Sequence, residues 1–408
     1  LMFASLAHGE SLIEDLLIAE DVVATANACR QLGASIDIDG RHTRVRGTGV
    51  QGLKAPTHAL DMGNSGTAMR LLTGVLSAQS FDCELIGDES LSRRPMRRIV
   101  DPLSLMGARI ETSSSGTAPL RIHGNPGLHG IEYHLPVASA QIKSCLLLAG
   151  LYASGRTCVR EPQKSRDHTE RMLPIFGAHV EQPCCVSGGF KLIAADLKVP
   201  ADISSAAFFL AAAAMVPDSD VVLRNVGLNP TRDGILRVLQ AMGADIDIGN
   251  HRVFGTEPVG DIRVRYSRSI EGISIPEEWV PSLIDELPVI MAMAAVTPGT
   301  TRIRGATELR VKESDRLSVM AQGLAGLGVR LQEYEDGIDI TGGAVQGGEA
   351  DGVGDHRCAM SFGILGQVAE GPLLVRGARQ IDTSYPAFAQ HLRALGGSVE
   401  ARAVSPPA

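Results

Sequence analysis

Leu32-Gly33-Ala34-Ser35-Ile36-Asp37 closes a helical segment on a glycine and passes at once into alternating apolar and polar residues. Glycine just past the last helical residue suits a left-handed cap, and period-two alternation is what a half-buried strand needs. The same pattern returns at Met106-Gly107-Ala108-Arg109-Ile110-Glu111, Phe176-Gly177-Ala178-His179-Val180-Glu181 and Met242-Gly243-Ala244-Asp245-Ile246-Asp247. Looser copies stand at Leu327-Gly328-Val329-Arg330-Leu331 and Leu395-Gly396-Gly397-Ser398-Val399-Glu400. Two or three copies are common punctuation in any α/β protein. Six, at intervals of roughly 65 to 85 residues, predict a chain built of six helix-and-strand modules.

Between the third and fourth copies, Leu197-Lys198-Val199-Pro200-Ala201-Asp202-Ile203-Ser204-Ser205 sets a proline and capping residues before an alanine-rich helix near Ala206. It divides the modules three and three. The first domain is therefore set at residues 1–200 and the second at 201–403, with a hinge at the junction and 404–408 as a tail. The apolar runs Ala206–Val216 and Leu287–Val296 fall short of the ~20 residues a bilayer crossing needs, so they read as buried helices. Leu1-Met2-Phe3-Ala4-Ser5-Leu6-Ala7 lacks the basic start and cleavage site of a signal peptide and reads as a helix entered partway along.

The balance of 38 Lys+Arg against 46 Asp+Glu, a net charge of -8, argues against a nucleic-acid binder and leaves any anionic ligand to local clusters. Seven cysteines without regular spacing, apart from the pair Cys184-Cys185, suggest reduced thiols in a cytosolic protein. No Cys/His metal set is apparent.

Several clusters could carry chemistry. Asp61-Met62-Gly63-Asn64-Ser65-Gly66-Thr67-Ala68-Met69-Arg70 joins capping residues and glycines to a run of good helix formers. It reads equally as an anion-holding turn or as an ordinary capped helix. Ser92-Arg93-Arg94-Pro95-Met96-Arg97-Arg98 concentrates arginines whose forks suit phosphate and carboxylate, or forms a solvated basic face. In Arg310-Val311-Lys312-Glu313-Ser314-Asp315-Arg316, helical spacing would put Lys312 and Arg316 on one face with Glu313 beside them, as an anion site or a salt-bridge ladder. Asp355-His356-Arg357 and Ser139-Ala140-Gln141 open buried-looking helices, as caps or oxyanion turns. Asp285 precedes an apolar helix, either as a cap or as a base whose pKa burial would raise.

Found in this order, Gly63 to Arg70, Arg94-Pro95-Met96, Arg310 to Arg316 and Asp355-His356-Arg357 resemble the 5-enolpyruvylshikimate-3-phosphate synthase (3-phosphoshikimate 1-carboxyvinyltransferase) family along nearly the whole chain. The resemblance implies the two-domain enolpyruvyl transferase fold, an inside-out α/β barrel of six βαβαββ repeats, three per domain. It implies transfer of the enolpyruvyl group of phosphoenolpyruvate to the 5-hydroxyl of shikimate 3-phosphate with release of phosphate. No metal and no organic cofactor is implied, nor any nucleic acid or membrane partner; a cytoplasmic monomer acting on two small molecules is expected.

By motif, Asn64, Gly66, Thr67, Arg94, Gln141, Arg316 and Arg357 are expected to face phosphoenolpyruvate. Ser139, Ala140, Gln141, Ser165, Arg166, Asp285 and Lys312 are expected around shikimate 3-phosphate. Asp285 matches the acceptor of the 5-hydroxyl proton, and Glu313 the carboxyl group that moves a proton at the methylene carbon. Two departures stand out. Thr383 occupies a position where some relatives carry a lysine. A lysine, a serine and an arginine that the family places ahead of Ala7-His8-Gly9 would fall upstream of Leu1. The resemblance thus implies an N-terminally truncated member whose second domain lacks its usual N-terminal strand. Losing one charged contact at a desolvated site is expected to cost this piece roughly 100-fold or more in turnover. The rival readings are the sister transferase acting on UDP-N-acetylglucosamine and a noncatalytic remnant that binds shikimate 3-phosphate. Against the former, no cysteine lies between Cys83 and Cys145, where its mobile loop carries a reactive one.

Overall fold

The structure, a computed structural model, describes residues 1–401; the expected tail at 404–408 and the last two residues of the expected second domain lie outside them. The chain divides into two compact units, residues 1–200 with 252–259, and 201–251 with 260–408. Residues 252–259, expected in the second domain, thus cluster with the first unit. They form the tip of the hairpin Asp245–Phe254 and Glu257–Arg265, where Glu257 meets His168 Nδ1 at 2.6 Å and Thr256 exchanges hydrogen bonds with Arg171.

The first unit holds three small sheets. His8–Glu14 lies at the centre of one, parallel to Leu197–Lys198 with Ile13 opposite Leu197, and antiparallel to His42–Thr48, which also pairs with Ser35–Asp39. The second runs Leu60–Asp61, Cys83–Ile86, Leu120–His123, Arg109–Glu111, and the third Cys185–Ser187, Arg156–Arg160, Glu132–His134. Two helices, Gly66–Ser77 and Ala140–Gly150, are almost wholly buried among them. They cross backbone to backbone: a Cβ on Gly74 would sit 2.2 Å from the Cys145 carbonyl oxygen, so only a hydrogen fits.

In the second unit, Asp220–Gly227 pairs with the hairpin, Thr300–Ile303 and Arg330–Glu333 flank Ile338–Thr341, and Gly348–Asp351 runs parallel to Leu373–Arg376. Three buried helices, Ile203–Met215, Leu287–Ala294 and His356–Leu365, pack together as its core. All eight residues of Leu287–Ala294 are buried, and each fully buried Leu, Ile, Val or Met contributes about 1.5–3 kcal/mol of transfer free energy.

The glycine of every module takes the conformation its place demands. Gly33, Gly107, Gly177, Gly243, Gly328 and Gly396 all have φ between 82° and 106°. Each closes the same pair of hydrogen bonds; in the first, Ala34 N–H reaches the Cys29 carbonyl and Gly33 N–H that of Arg30. This paired cap satisfies two carbonyls a helix end leaves open. The strands that should follow form in four modules only. After Gly177 the chain turns back at once, Glu181 and Cys185 exchanging both hydrogen bonds as an isolated bridge. After Gly396 side chains replace the ladder: Gln367 bonds Ser398 N–H and carbonyl at 2.8 and 3.0 Å, and Arg393 Nε donates to the Val399 carbonyl.

One cysteine expectation is corrected. Cys158 and Cys185 stand opposite each other on adjacent antiparallel strands and form a disulfide; the other five are free thiols. Burial pushes the Cys83, Cys145 and Cys184 thiols up to about 12. Among the described residues no helix is long and apolar enough to cross a membrane.

Candidate active site

In the first unit, Ser65 caps the Gly66–Ser77 helix, its hydroxyl accepting from Ala68 N–H at 3.2 Å. The turn before it is tied by Asn64, whose Nδ2 donates to Asp88 Oδ2 at 2.7 Å and whose Oδ1 accepts from Arg94. Among the four arginines of the basic stretch only Arg94 is buried. A Cβ on Gly66 would lie 3.1 Å from Nη1 of both Arg70 and Arg94, so the backbone there faces two guanidinium tips. Gln141 spans the same group: Nε2 donates to Thr67 Oγ1 at 2.9 Å, and Oε1 accepts Arg70 Nη1 at 2.6 Å. Asn64, Gly66, Thr67, Arg94 and Gln141 therefore come together.

Ser139 caps the Ala140–Gly150 helix through Ile142 N–H at 3.5 Å, which puts Ala140 and Gln141 in its first turn. Ser165 is buried, and both its donors, N–H and hydroxyl, go to Glu161 Oε1. Arg166 follows it, directly ahead of Asp167, which holds Arg171 Nε at 2.8 Å and Lys164 Nζ at 3.1 Å.

In the second unit, Arg316 is 1 % exposed and its guanidinium meets three carboxylates: Asp355 at 2.8 Å from Nε, Asp285 at 3.0 Å from Nη1, and Glu313 from Nη2. Burial opposes the charge, but Asp355, Glu313 and Asp285 outweigh it and hold the pKa well above the usual arginine value. Lys312 Nζ reaches the same oxygen of Asp285 at 3.3 Å, and Arg357 Nη1 donates to the Asp285 carbonyl at 3.2 Å. Asp355 is fully buried and caps the His356–Leu365 helix through Arg357 and Cys358 N–H.

The helical-face reading of Lys312 and Arg316 does not hold. Lys312 ends the short Thr307–Val311 turn, and the helix starts only at Arg316, capped by Asp315 through Ser318 N–H at 3.0 Å. Lys312 and Glu313 lie in the turn before it and reach Asp285 and Arg316 from there. Nor is Asp285 a cap; the Leu287–Ala294 helix begins at Glu286 without a side-chain cap. Thr383 caps its own turn, donating to the Gln380 carbonyl at 2.7 Å.

The chain matches EPSP synthase (3-phosphoshikimate 1-carboxyvinyltransferase) as a family over residues 1–392. The chain belongs to the EPSP synthase family. Relatives in this family include the 3-phosphoshikimate 1-carboxyvinyltransferases of Nitrosococcus oceani, 53% identical over 95% of this chain and 88% of that one, and of Methylococcus capsulatus, 52% identical over 98% and 92%. An EPSP synthase structure from Acinetobacter baumannii superposes with a TM-score of 0.87 at 47% identity, covering 98% of this chain and 93% of its own. The fold is accordingly the two-domain enolpyruvyl transferase fold of the EPSP synthase family.

Several residues of these clusters escape a reading of the sequence. Arg70 stands four residues after Gly66, a spacing that puts it on the same helix face and could have flagged it. Lys143 is a lone charge inside an apolar run; such a residue, when fully buried, calls for partners, and it has Glu161 and Glu170. Asp202, read in sequence as one of the capping residues at the junction, does cap the Ile203–Met215 helix, accepting from Ser205 N–H at 3.0 Å, and what the sequence did not show is its pairing with Arg232 at 2.9 Å. Burial would raise its pKa, but Arg232 and Arg357 bring it down to about 2.

Proposed function

We propose that this chain transfers the enolpyruvyl group of phosphoenolpyruvate to the 5-hydroxyl of shikimate 3-phosphate, giving 5-enolpyruvylshikimate 3-phosphate and phosphate on the route to chorismate and the aromatic amino acids. Family membership supports the reaction. The observation that carries the assignment of residues is the Arg316 knot, in which one buried guanidinium touches both expected proton carriers, Asp285 and Glu313, while Lys312 and Arg357 attend the same aspartate.

Asp285 takes the proton of the 5-hydroxyl as its oxygen attacks the enol carbon, and Glu313, which takes up a proton once the incoming anion has displaced it from Arg316, gives that proton to the methylene carbon, making a methyl group and a tetrahedral intermediate. Loss of phosphate with return of a methyl proton completes the exchange. Arg316 and Arg357 take phosphoenolpyruvate, whose carboxylate and phosphate both call for charge-assisted bonds. Binding an anion at Arg316 requires exchange for carboxylates that already occupy its fork. In the first unit, Asn64, Gly66, Thr67, Arg94 and Gln141 are assigned to phosphoenolpyruvate, and Ser139, Ala140, Gln141, Ser165 and Arg166 to shikimate 3-phosphate; in the second, Lys312 and Asp285 are assigned to shikimate 3-phosphate. The reaction uses no cofactor, and we assign it to a cytoplasmic monomer.

The test is phosphate release by the purified chain. Release that needs both phosphoenolpyruvate and shikimate 3-phosphate, and is absent with UDP-N-acetylglucosamine, is expected. Release with the nucleotide sugar would move the chain to the sister transferase. Thermal stabilisation by shikimate 3-phosphate without turnover would leave it a binding protein.

A further inference from the structure

Lys143 lies on the Ala140–Gly150 helix, one turn below Ser139, Ala140 and Gln141, and its side chain is wholly buried. Its ammonium reaches Glu161 Oε2 at 2.8 Å and Glu170 Oε1 at 2.7 Å. Burial works against this charge, yet Glu170 and Glu161 hold its pKa above the ordinary lysine value. The second oxygen of Glu161 accepts the Ser165 N–H at 3.3 Å and the Ser165 hydroxyl. Ser144 and Thr169 make a second tie between the same helix and the segment after Ser165, at 2.7 Å.

A phosphate oxygen is an acceptor only, as is the Glu161 oxygen now facing both Ser165 donors. Converging an N–H and an O–H on one acceptor is the arrangement a phosphate oxygen needs, and Ser165 has few other ways to acquire it, being 7% exposed in a loop. The anchor for that convergence is not in the loop itself but in the buried lysine beneath it.

We propose that Glu161, held by Lys143, is a positioning residue that keeps the donors of Ser165 converged for the phosphate of shikimate 3-phosphate and yields them when the phosphate arrives. The inference rests on the functional reading above. Glu161 acts through Ser165 and has no part in moving protons.

Glu161→Gln keeps the shape and an acceptor oxygen but removes the charge Lys143 grips. Steady-state kinetics should give a KM for shikimate 3-phosphate raised about five-fold or more, with kcat and the phosphoenolpyruvate KM within about twofold. In a Ser165→Ala background, which keeps the N–H but loses the hydroxyl, the same change should raise the KM by clearly less than it does in wild type, as coupled neighbours require. Glu170→Gln removes equal charge from Lys143 without facing Ser165 and should leave that KM within about twofold. Circular dichroism checks folding, and if the glutamine variant does not fold, Glu161→Asp, which keeps the charge but is one methylene too short to hold both Lys143 and Ser165, should raise the same KM. An unchanged KM, equal loss in kcat and both KM values, or independent effects in the Ser165→Ala background would overturn the inference. Thermal shifts separate it from the reading beneath it. Wild-type protein should be stabilised by shikimate 3-phosphate and not by shikimate, and Glu161→Gln should lose most of that stabilisation. Wild type stabilised and the variant stabilised equally would sink the inference alone; wild type neither stabilised nor active would sink both.

Discussion

Asp355 accepts four donors while fully buried: Arg316 Nε at 2.8 Å, Ser314 Oγ at 3.2 Å, and the N–H groups of Arg357 and Cys358. Asp355→Asn keeps a capping oxygen for the helix, since asparagine caps as well as aspartate. Its amide must then face either Arg316 or the helix N–H groups, donor against donor. A hydrogen bond to a charged group is worth about 1.5–3 kcal/mol, and a buried donor left unmet costs about 1–3 kcal/mol more. Breaking a buried pair outright costs about 3–5 kcal/mol, but Arg316 keeps Asp285 and Glu313. The net loss should be about 3 kcal/mol, which for a unit of this size is about 6–12 °C in Tm at ~2–4 °C per kcal/mol. Asp355→Ala also forfeits the cap and should lose about 1 kcal/mol beyond that. Calorimetry and urea unfolding of the two variants check the figures. A fall of under about 2 °C for Asp355→Asn, or an alanine variant no worse than the asparagine one, would refute the view that Asp355 braces Arg316 and the helix start together.

Gly66→Ala would put a methyl group 3.1 Å from the tips of Arg70 and Arg94; Tm should hold while the KM for phosphoenolpyruvate rises about three- to ten-fold in steady-state kinetics. Burial and the Arg357 cation push the His356 imidazole down to about 4. Its unfolded form therefore binds the extra proton between pH 6.5 and 4, so its contribution is complete above 6.5 and falls as pH drops to 4, by about 2–3 kcal/mol; chemical unfolding across that range should show the slope in wild type and a smaller one in His356→Gln. Five thiols should react in denatured, unreduced protein, and reducing the Cys158–Cys185 bond should cost up to about 3–4 kcal/mol of stability by the loop-entropy estimate for its 27-residue separation, read as a Tm drop with dithiothreitol.

How far the fold could be read from residues varies with what each feature depends on. The six cap glycines were legible because a φ of 82° to 106° admits almost nothing else, so the requirement is written at one position. The absence of strands after Gly177 and Gly396 was not, because it depends on which groups take the backbone: Cys185 and Arg393 from within a few residues, and Gln367 from a helix end 31 residues away. Helical spacing misled at Lys312 because Asp315 caps later than the charge pattern suggested. The pairing of Cys158 with Cys185 is a matter of strand register and leaves no local trace. Of the clusters, Asn64, Gly66, Thr67, Arg94 and Gln141 could be named from motif, but that Arg70 binds Gln141 and that Glu161 takes both donors of Ser165 depends on segments meeting in space.

The contact at Gly74 acts as the rivet of a pair of tweezers. The helix from Gly74 back to Gly66 is an arm of about 12 Å, and that from Cys145 back to Ala140 one of about 7.5 Å, at 1.5 Å per residue. A change of only about 5° at the rivet would swing the longer tip by about 1 Å, a displacement that can cost an enzyme a hundredfold. The crossing has no slack, since its spacing is set by a carbonyl resting on a hydrogen. Substitutions far from any substrate can therefore retune the grip of Gly66 and Gln141, and the position most able to do so is one that never touches what they hold.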